Sequence, residues 1–269
     1  MPKLWVIGGT QESRQLIEQL CHQSPPAVSR PRCCVSVATA AARALYPVSP
    51  NIAIWVGHLR PDTADEFIAQ QEIVAVLDMS HPFAVEISQL AIALTQRHRL
   101  AYLRYERPRV DAPATPWRDR WGRLGCIQLP QLQDVLTSQY LTAERTLLTL
   151  GYRHLPHFAP WQAQSTLWAR ILPSPIALQT ALASGFTPDR LMALRPPLSA
   201  ALETALWQQW RITQVITKAS GTAGGQAQKQ QLAAELGVRL IQIDRPAIAY
   251  PQQTDCFDTA LQFALRYGS

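Results

Sequence analysis

The chain has 269 residues, 47% of them hydrophobic, and its 25 Lys and Arg against 19 Asp and Glu give a formal charge of +6. That length favours two domains with real cores, and the charge favours an anionic partner. The basic residues are interspersed with apolar ones rather than blocked together, so nucleic acid is not expected as that partner. No apolar run is long enough to span a membrane.

Lys3 to Ile7 reads as a buried parallel strand. It ends in Gly8-Gly9-Thr10-Gln11-Glu12, and Ser13 to Cys21 has helical spacing. A strand, a Gly-Gly-Thr turn and a helix place backbone N–H groups at an electropositive helix start, as in a dinucleotide fold, although the full GxGxxG pattern is absent. The turn reads either as a phosphate site or as a structural turn. The pattern continues with strands at 33–38 and 52–56, a helix to about Gln71, a strand at 73–77, a helix from Ala84 to about Arg97, and a strand at 101–105. The alternation predicts a doubly wound parallel sheet, with ligands beyond the carboxyl ends of its strands.

Two loops of this half hold candidate groups. Ser80-His81-Pro82 reads as a helix start, and its histidine is also placed to meet a phosphate or carboxylate. Arg104-Tyr105-Glu106-Arg107 reads either as a solvated edge or as a carboxylate clamp. The stretch 109–125, with Pro113, Pro116, Trp117 and Trp121, reads as a linker.

The second half predicts a helix at 132–141, strands at 146–150, 167–172 and 190–194, a helix at 176–184 and an amphipathic segment at 199–210. An irregular piece rich in His and Pro follows the first of these strands. Ile212 to Ile216 then forms a strand, Thr217-Lys218-Ala219-Ser220-Gly221-Thr222-Ala223-Gly224-Gly225 a glycine turn, and Gln226 to Leu236 a helix. This turn is not a Walker loop. It reads as an anion site assisted by Lys218, or as a tight turn. A strand at 238–243, the closing Asp244-Arg245-Pro246 and a helix from Thr254 to about Arg266 complete the chain. Five cysteines, Cys21, Cys33, Cys34, Cys126 and Cys256, show no metal-ligand spacing. With no signal-peptide pattern at the start, they suggest a reducing, cytoplasmic setting.

Taken in order, Ile7-Gly8-Gly9-Thr10-Gln11-Glu12, Asp78-Met79-Ser80-His81-Pro82-Phe83-Ala84, Leu103-Arg104-Tyr105-Glu106-Arg107-Pro108, Thr217-Lys218-Ala219-Ser220-Gly221 and Asp244-Arg245-Pro246 resemble the precorrin-6A reductases of cobalamin biosynthesis. The resemblance covers essentially the whole chain. It implies an α/β protein of two Rossmann-like domains, each a parallel sheet flanked by helices, with the active site in the cleft between them. On that reading 1–110 is the cofactor-binding domain and 111–269 the substrate-binding domain. The implied reaction is NAD(P)H-dependent reduction of one macrocycle double bond of precorrin-6A, or of its cobalt form, to the precorrin-6B form. The partner is then a small-molecule corrin precursor rich in carboxylates, and hydride transfer needs no metal.

The candidates for the cofactor are Gly8, Gly9, Thr10, Glu12, Ser36, Thr39, Ser80 and His81. Those for the substrate are Arg104, Arg107, Lys218, Ser220, Gly221, Lys229 and Arg245. Lys218, His81 and Tyr105 are the candidates for supplying a proton or orienting the reacting groups. Where the family often has Ser-x-Ala-Gly-Arg after the second strand, this chain has Val35-Ser36-Val37-Ala38-Thr39-Ala40-Ala41-Ala42-Arg43. That departure leaves NADPH or NADH open. The rival readings are a nucleotide-dependent transferase and a non-catalytic nucleotide- or tetrapyrrole-binding protein on the same fold.

Overall fold

A computed structural model of the protein describes residues 2–22, 31–111, 113 and 115–268. The chain divides into two compact units, one of Met1–Pro108 with Ala247–Ser269, the other of Arg109–Pro246. The expected second domain running to 269 is therefore corrected: the chain's last stretch returns to the first unit.

The first unit runs β1 (Lys3–Ile7), α1 (Gln11–His22), β2 (Cys33–Val37), α2 (Ala40–Arg43), β3 (Ile52–Val56), α3 (Pro61–Gln70), β4 (Ile73–Asp78), α4 (Val85–His98) and β5 (Ala101–Tyr105). The second runs β6 (Cys126–Leu129), α5 (Ser138–Leu141), β7 (Arg145–Leu148), β8 (Thr166–Ile171), α6 (Pro175–Ala183) and β9 (Leu191–Ala193). It continues through α7 (Ala200–Gln209), β10 (Gln214–Lys218), α8 (Gln226–Leu236) and β11 (Arg239–Ile243). Back in the first unit come β12 (Gln253–Thr254) and α9 (Phe257–Gly268).

Each unit holds a six-stranded sheet, ordered β12-β5-β4-β1-β2-β3 in the first and β6-β11-β10-β7-β8-β9 in the second. The strand pairs of both sheets are parallel. The chain order reverses between β1 and β4 in one sheet and between β7 and β10 in the other. Those two places are where a doubly wound sheet opens a crevice at its carboxyl edge.

The strands are buried on both faces, which is why they read as apolar runs rather than as alternations. Leu4, Val6, Leu77 and Leu103 face α1 and α9 through Leu16, Leu20, Ala260 and Ala264. Trp5, Ile7, Val76 and Tyr102 face the other way, onto Phe67, Ala91 and Leu94. In the second unit Leu147, Trp168, Val215 and Leu240 pack with Trp207, Leu232 and Ala233 of α7 and α8. The helices start where their caps dictate: the Ser174 and Ser199 hydroxyls accept from Ala177 N–H and Leu202 N–H.

Two expectations are corrected, and two short strands are added. The helix at 132–141 is a 3₁₀ turn at Leu132–Val135 followed by the single turn of α5. Strands β6 and β12 are too short to show a period, and each takes the sixth position of its sheet beside β11 and β5. The stretch 109–125 belongs to the second unit, apart from positions 112 and 114, which lie outside the described residues. Trp117 packs on that unit's core and its indole N–H donates to Val238 O at 3.2 Å.

Candidate functional site

The first crevice lies at the ends of β1 and β4. Gly8 N–H donates to Ser36 O at 2.9 Å. A Cβ on Gly8 would strike the Tyr46 hydroxyl and lie 2.7 Å from Val35 Cγ1, so only glycine fits. Gly9 sits at φ +91° with open space where its Cβ would be, a conformation that favours glycine and leaves room above the turn. Thr10 is buried: its Oγ1 donates to Met79 O at 2.9 Å and accepts from Ser13 N–H at 3.2 Å, tying the β1 loop to the β4 loop while capping α1.

Tyr46, which the sequence did not single out, completes this turn. Its hydroxyl accepts from Gly9 N–H at 2.7 Å and lies 2.7 Å from Ser13 Oγ. Burial raises its pKa, so the phenol keeps its proton at neutral pH. The Gly8-Gly9-Thr10 turn is therefore held from beneath by a side chain and open above. That cradle, at a topological switch point and at the start of a 12-residue helix, fits a cofactor pyrophosphate.

Several neighbours are already engaged within the protein. Ser36 Oγ is buried and accepts from Trp5 Nε1 at 2.8 Å. Thr39 accepts from Ala42 N–H at 3.3 Å, capping α2 on the surface. Glu12 and Arg107 form a two-pronged pair, Nε to Oε1 at 2.8 Å and Nη2 to Oε2 at 2.8 Å. Ser36, Glu12 and Arg107 thus have partners within the protein.

Arg104 is the most deeply engaged of these groups. Its side chain is 1% exposed, with Nη1 donating to Asp78 Oδ1 at 2.9 Å. The same nitrogen donates to Ser80 Oγ at 2.9 Å, and Nη2 lies 2.8 Å from Glu106 Oε2. The fully buried Asp78 also accepts from Ser80 N–H at 3.0 Å, Ser88 Oγ at 2.6 Å and the Tyr102 hydroxyl at 3.0 Å. Arg104 and Ser80 therefore join a closed network under the crevice. His81 Nδ1 accepts from Phe83 N–H at 3.2 Å, which supports the helix-start reading and puts its proton on Nε2. Tyr105 is half-buried against Phe257, and burial followed by the Glu12 charge raises its pKa.

The second crevice lies at the ends of β7 and β10. Strand β10 extends two residues beyond its predicted end, so Lys218 is its last residue. The glycine turn that follows is closed on itself. Gly221 N–H donates to Gln226 Oε1 at 3.0 Å, Gly224 N–H to Gly221 O at 3.0 Å and Gly225 N–H to Thr222 O at 2.9 Å. Lys229 is 3% exposed and its Nζ donates to Gly224 O at 2.9 Å and Gly225 O at 3.3 Å. Arg245 is buried and its Nε donates to Ala219 O at 2.9 Å. Lys229 and Arg245 are thus clasps on the loop, and Gly221 turns its N–H inward, with φ +76°. Ser220 is buried beneath it.

Burial and then the Arg153 charge lower the Lys218 pKa to about 8, so it is mostly protonated at neutral pH. Arg153 belongs to a segment the sequence left as an irregular piece, the 3₁₀ helix Tyr152–Trp161 that follows β7. A glycine at the end of a central strand followed by Tyr-Arg-His was the available signal.

Two doubly wound parallel sheets, one in each unit, define a two-domain α/β protein of Rossmann-like type. Residues 3–264 match the family model described as precorrin-6x reductase CbiJ/CobK. The chain is 40% identical to the cobalt-precorrin-6A reductase of Synechocystis sp., over 98% of this chain and 96% of that one. It is 28% identical to the precorrin-6A reductase of Rhodobacter capsulatus, over 92% and 90% of the two chains. A solved structure described as CobK precorrin-6A reductase matches its fold at a TM-score of 0.77 and 24% identity, over 100% of this chain and 98% of that one. The chain belongs to the precorrin-6x reductase family.

Proposed function

We propose that the chain uses a nicotinamide cofactor to reduce one double bond of a precorrin-6A macrocycle. Membership of the reductase family carries this reading. The open turn at Gly9 supports the first unit as the cofactor-binding one. The transferase alternative is not favoured, because the chain belongs to the reductase family over nearly its whole length.

When bound, the nicotinamide supplies the hydride, and the protein orients and excludes water. Gly8, Gly9 and Thr10 would shape the turn that receives the pyrophosphate, with the open space at Gly9 leaving room for it at the start of α1. Arg43 is exposed at the end of α2, beyond β2, the region that meets the adenosine ribose in such folds, and it suits the extra phosphate of NADPH. Lys218 binds a substrate carboxylate by a charge-assisted hydrogen bond. Anaerobic assays of metal-free and cobalt-loaded precorrin-6A with NADPH and with NADH test the reading. Turnover is expected, with NADPH preferred; no oxidation of either cofactor by either substrate refutes the function.

A further inference from the structure

We infer that Arg153, His154 and His157 form, with Lys218, a carboxylate-binding subsite at the second switch point. The inference rests on the reductase reading for the identity of its ligand, a carboxylate side chain of the macrocycle.

The backbone brings these residues together. Strands β7 and β10 are neighbours, with Leu148 opposite Ile216 and Thr149 N–H donating to Ile216 O at 2.9 Å. Lys218 follows two residues after Ile216. On the other strand the chain turns at Gly151, φ +85°, directly into the 3₁₀ helix that carries Arg153, His154 and His157. Leu155 and Phe158 are buried and anchor that helix. Residues three apart eclipse one another in a 3₁₀ helix, which sets His154 and His157 on one edge with ring centroids 6.5 Å apart. Arg153 is exposed, its guanidinium 5.9 Å from the Tyr152 ring centre. Helix α6 packs against the segment and has no charged residue along Pro175–Ala183.

The electrostatics agree with the geometry. Burial comes first in holding the His154 pKa down to about 4, followed by the charges of Lys218, His157 and Arg153. At neutral pH His154 is thus a neutral imidazole with one N–H to donate, beside two permanent or nearly permanent cations. A carboxylate placed there relieves the repulsion among these groups and accepts hydrogen bonds from them.

The test is the Arg153→Met variant, which keeps an unbranched apolar stem at an exposed position. The substrate KM should rise about tenfold to a hundredfold, the size of one lost charge-assisted hydrogen bond, while cofactor Kd stays at the parent value. A second signature separates this from a structural effect. Arg153 lowers the Lys218 pKa, so the alkaline limb of kcat/KM should move to higher pH in the variant than in the parent. An unchanged KM with an unmoved limb overturns the subsite. If the parent turns over no precorrin-6A, the reductase reading fails separately, and calorimetric titration decides the subsite with citrate and inorganic phosphate as probes. Citrate binding weakened tenfold or more in Arg153→Met, with phosphate weaker in both proteins, supports a carboxylate site. Citrate binding equal in parent and variant overturns it, as does phosphate binding more tightly than citrate.

Discussion

Replacing Arg104 with Met separates two roles that a strand-end arginine can have. The guanidinium lies in a fully buried setting and bridges Asp78, Ser80 and Glu106. The variant leaves the Asp78 carboxylate, 0% exposed, with Ser80 N–H, Ser88 and Tyr102 as donors but no countercharge. Removing one partner of a buried ion pair typically costs about 3–5 kcal/mol, because the other charge stays uncompensated. Adding Asp78→Asn should recover much of that loss, since no carboxylate then remains buried without its cation. Urea unfolding followed by circular dichroism gives the stability, and steady-state kinetics on the folded protein give the substrate KM. Stability should fall by about 3–5 kcal/mol with KM near the parent value. A loss below about 1 kcal/mol accompanied by a raised KM would show that Arg104 binds substrate and that the network has been misread.

Gly9→Val puts a β-branched residue at φ +91° and its methyls into the open space over the turn; cofactor Kd should rise by about thirtyfold, ~2 kcal/mol, and a folded variant with parental affinity by fluorescence titration counts against the pyrophosphate site. Tyr46→Phe deletes the hydroxyl that accepts from Gly9 N–H and meets Ser13 Oγ. It should raise the cofactor Kd several-fold, about 1 kcal/mol, while the substrate KM holds; equal changes in both constants would contradict the assignment. Lys218→Met should lower kcat/KM about tenfold to a hundredfold with cofactor binding intact. Its sign with pH follows from a pKa lowered to about 8: the carboxylate-binding charge is present below that pH and lost as pH rises through it. The parent's alkaline limb should therefore vanish in Lys218→Met, and a limb that persists unchanged assigns it to another group.

The sheets could be read from the sequence because buried parallel strands leave continuous apolar runs, such as Leu4 to Ile7 and Ile73 to Leu77. Glycines at strand ends marked both switch points for the same physical reason: the chain must turn there in a backbone conformation that side chains resist. Strands β6 and β12 escaped because four and two residues carry no periodic signal. Their places are fixed by the edges of β11 and β5 that they cover. The compact units were misjudged at one end for a related reason, since α9 packs on β1, β4 and β5 across more than 150 residues of sequence.

Side-chain roles were harder to read than backbone, and the arginines show why. A strand-end arginine looks alike whether it meets solvent, ligand or a buried acid. The partner that decides lies 26 residues away for Arg104 and 95 away for Arg107. Lys229 is decided locally but by carbonyls, which residue type does not disclose. A buried pair has no net charge, so Arg104 with Asp78 and Arg107 with Glu12 add little to the field an approaching anion meets. The overall charge of +6 therefore does not say where an anion binds. At Lys218 and His154, burial and neighbouring positive charge act in the same direction, so a carboxylate bound beside them would offset both effects.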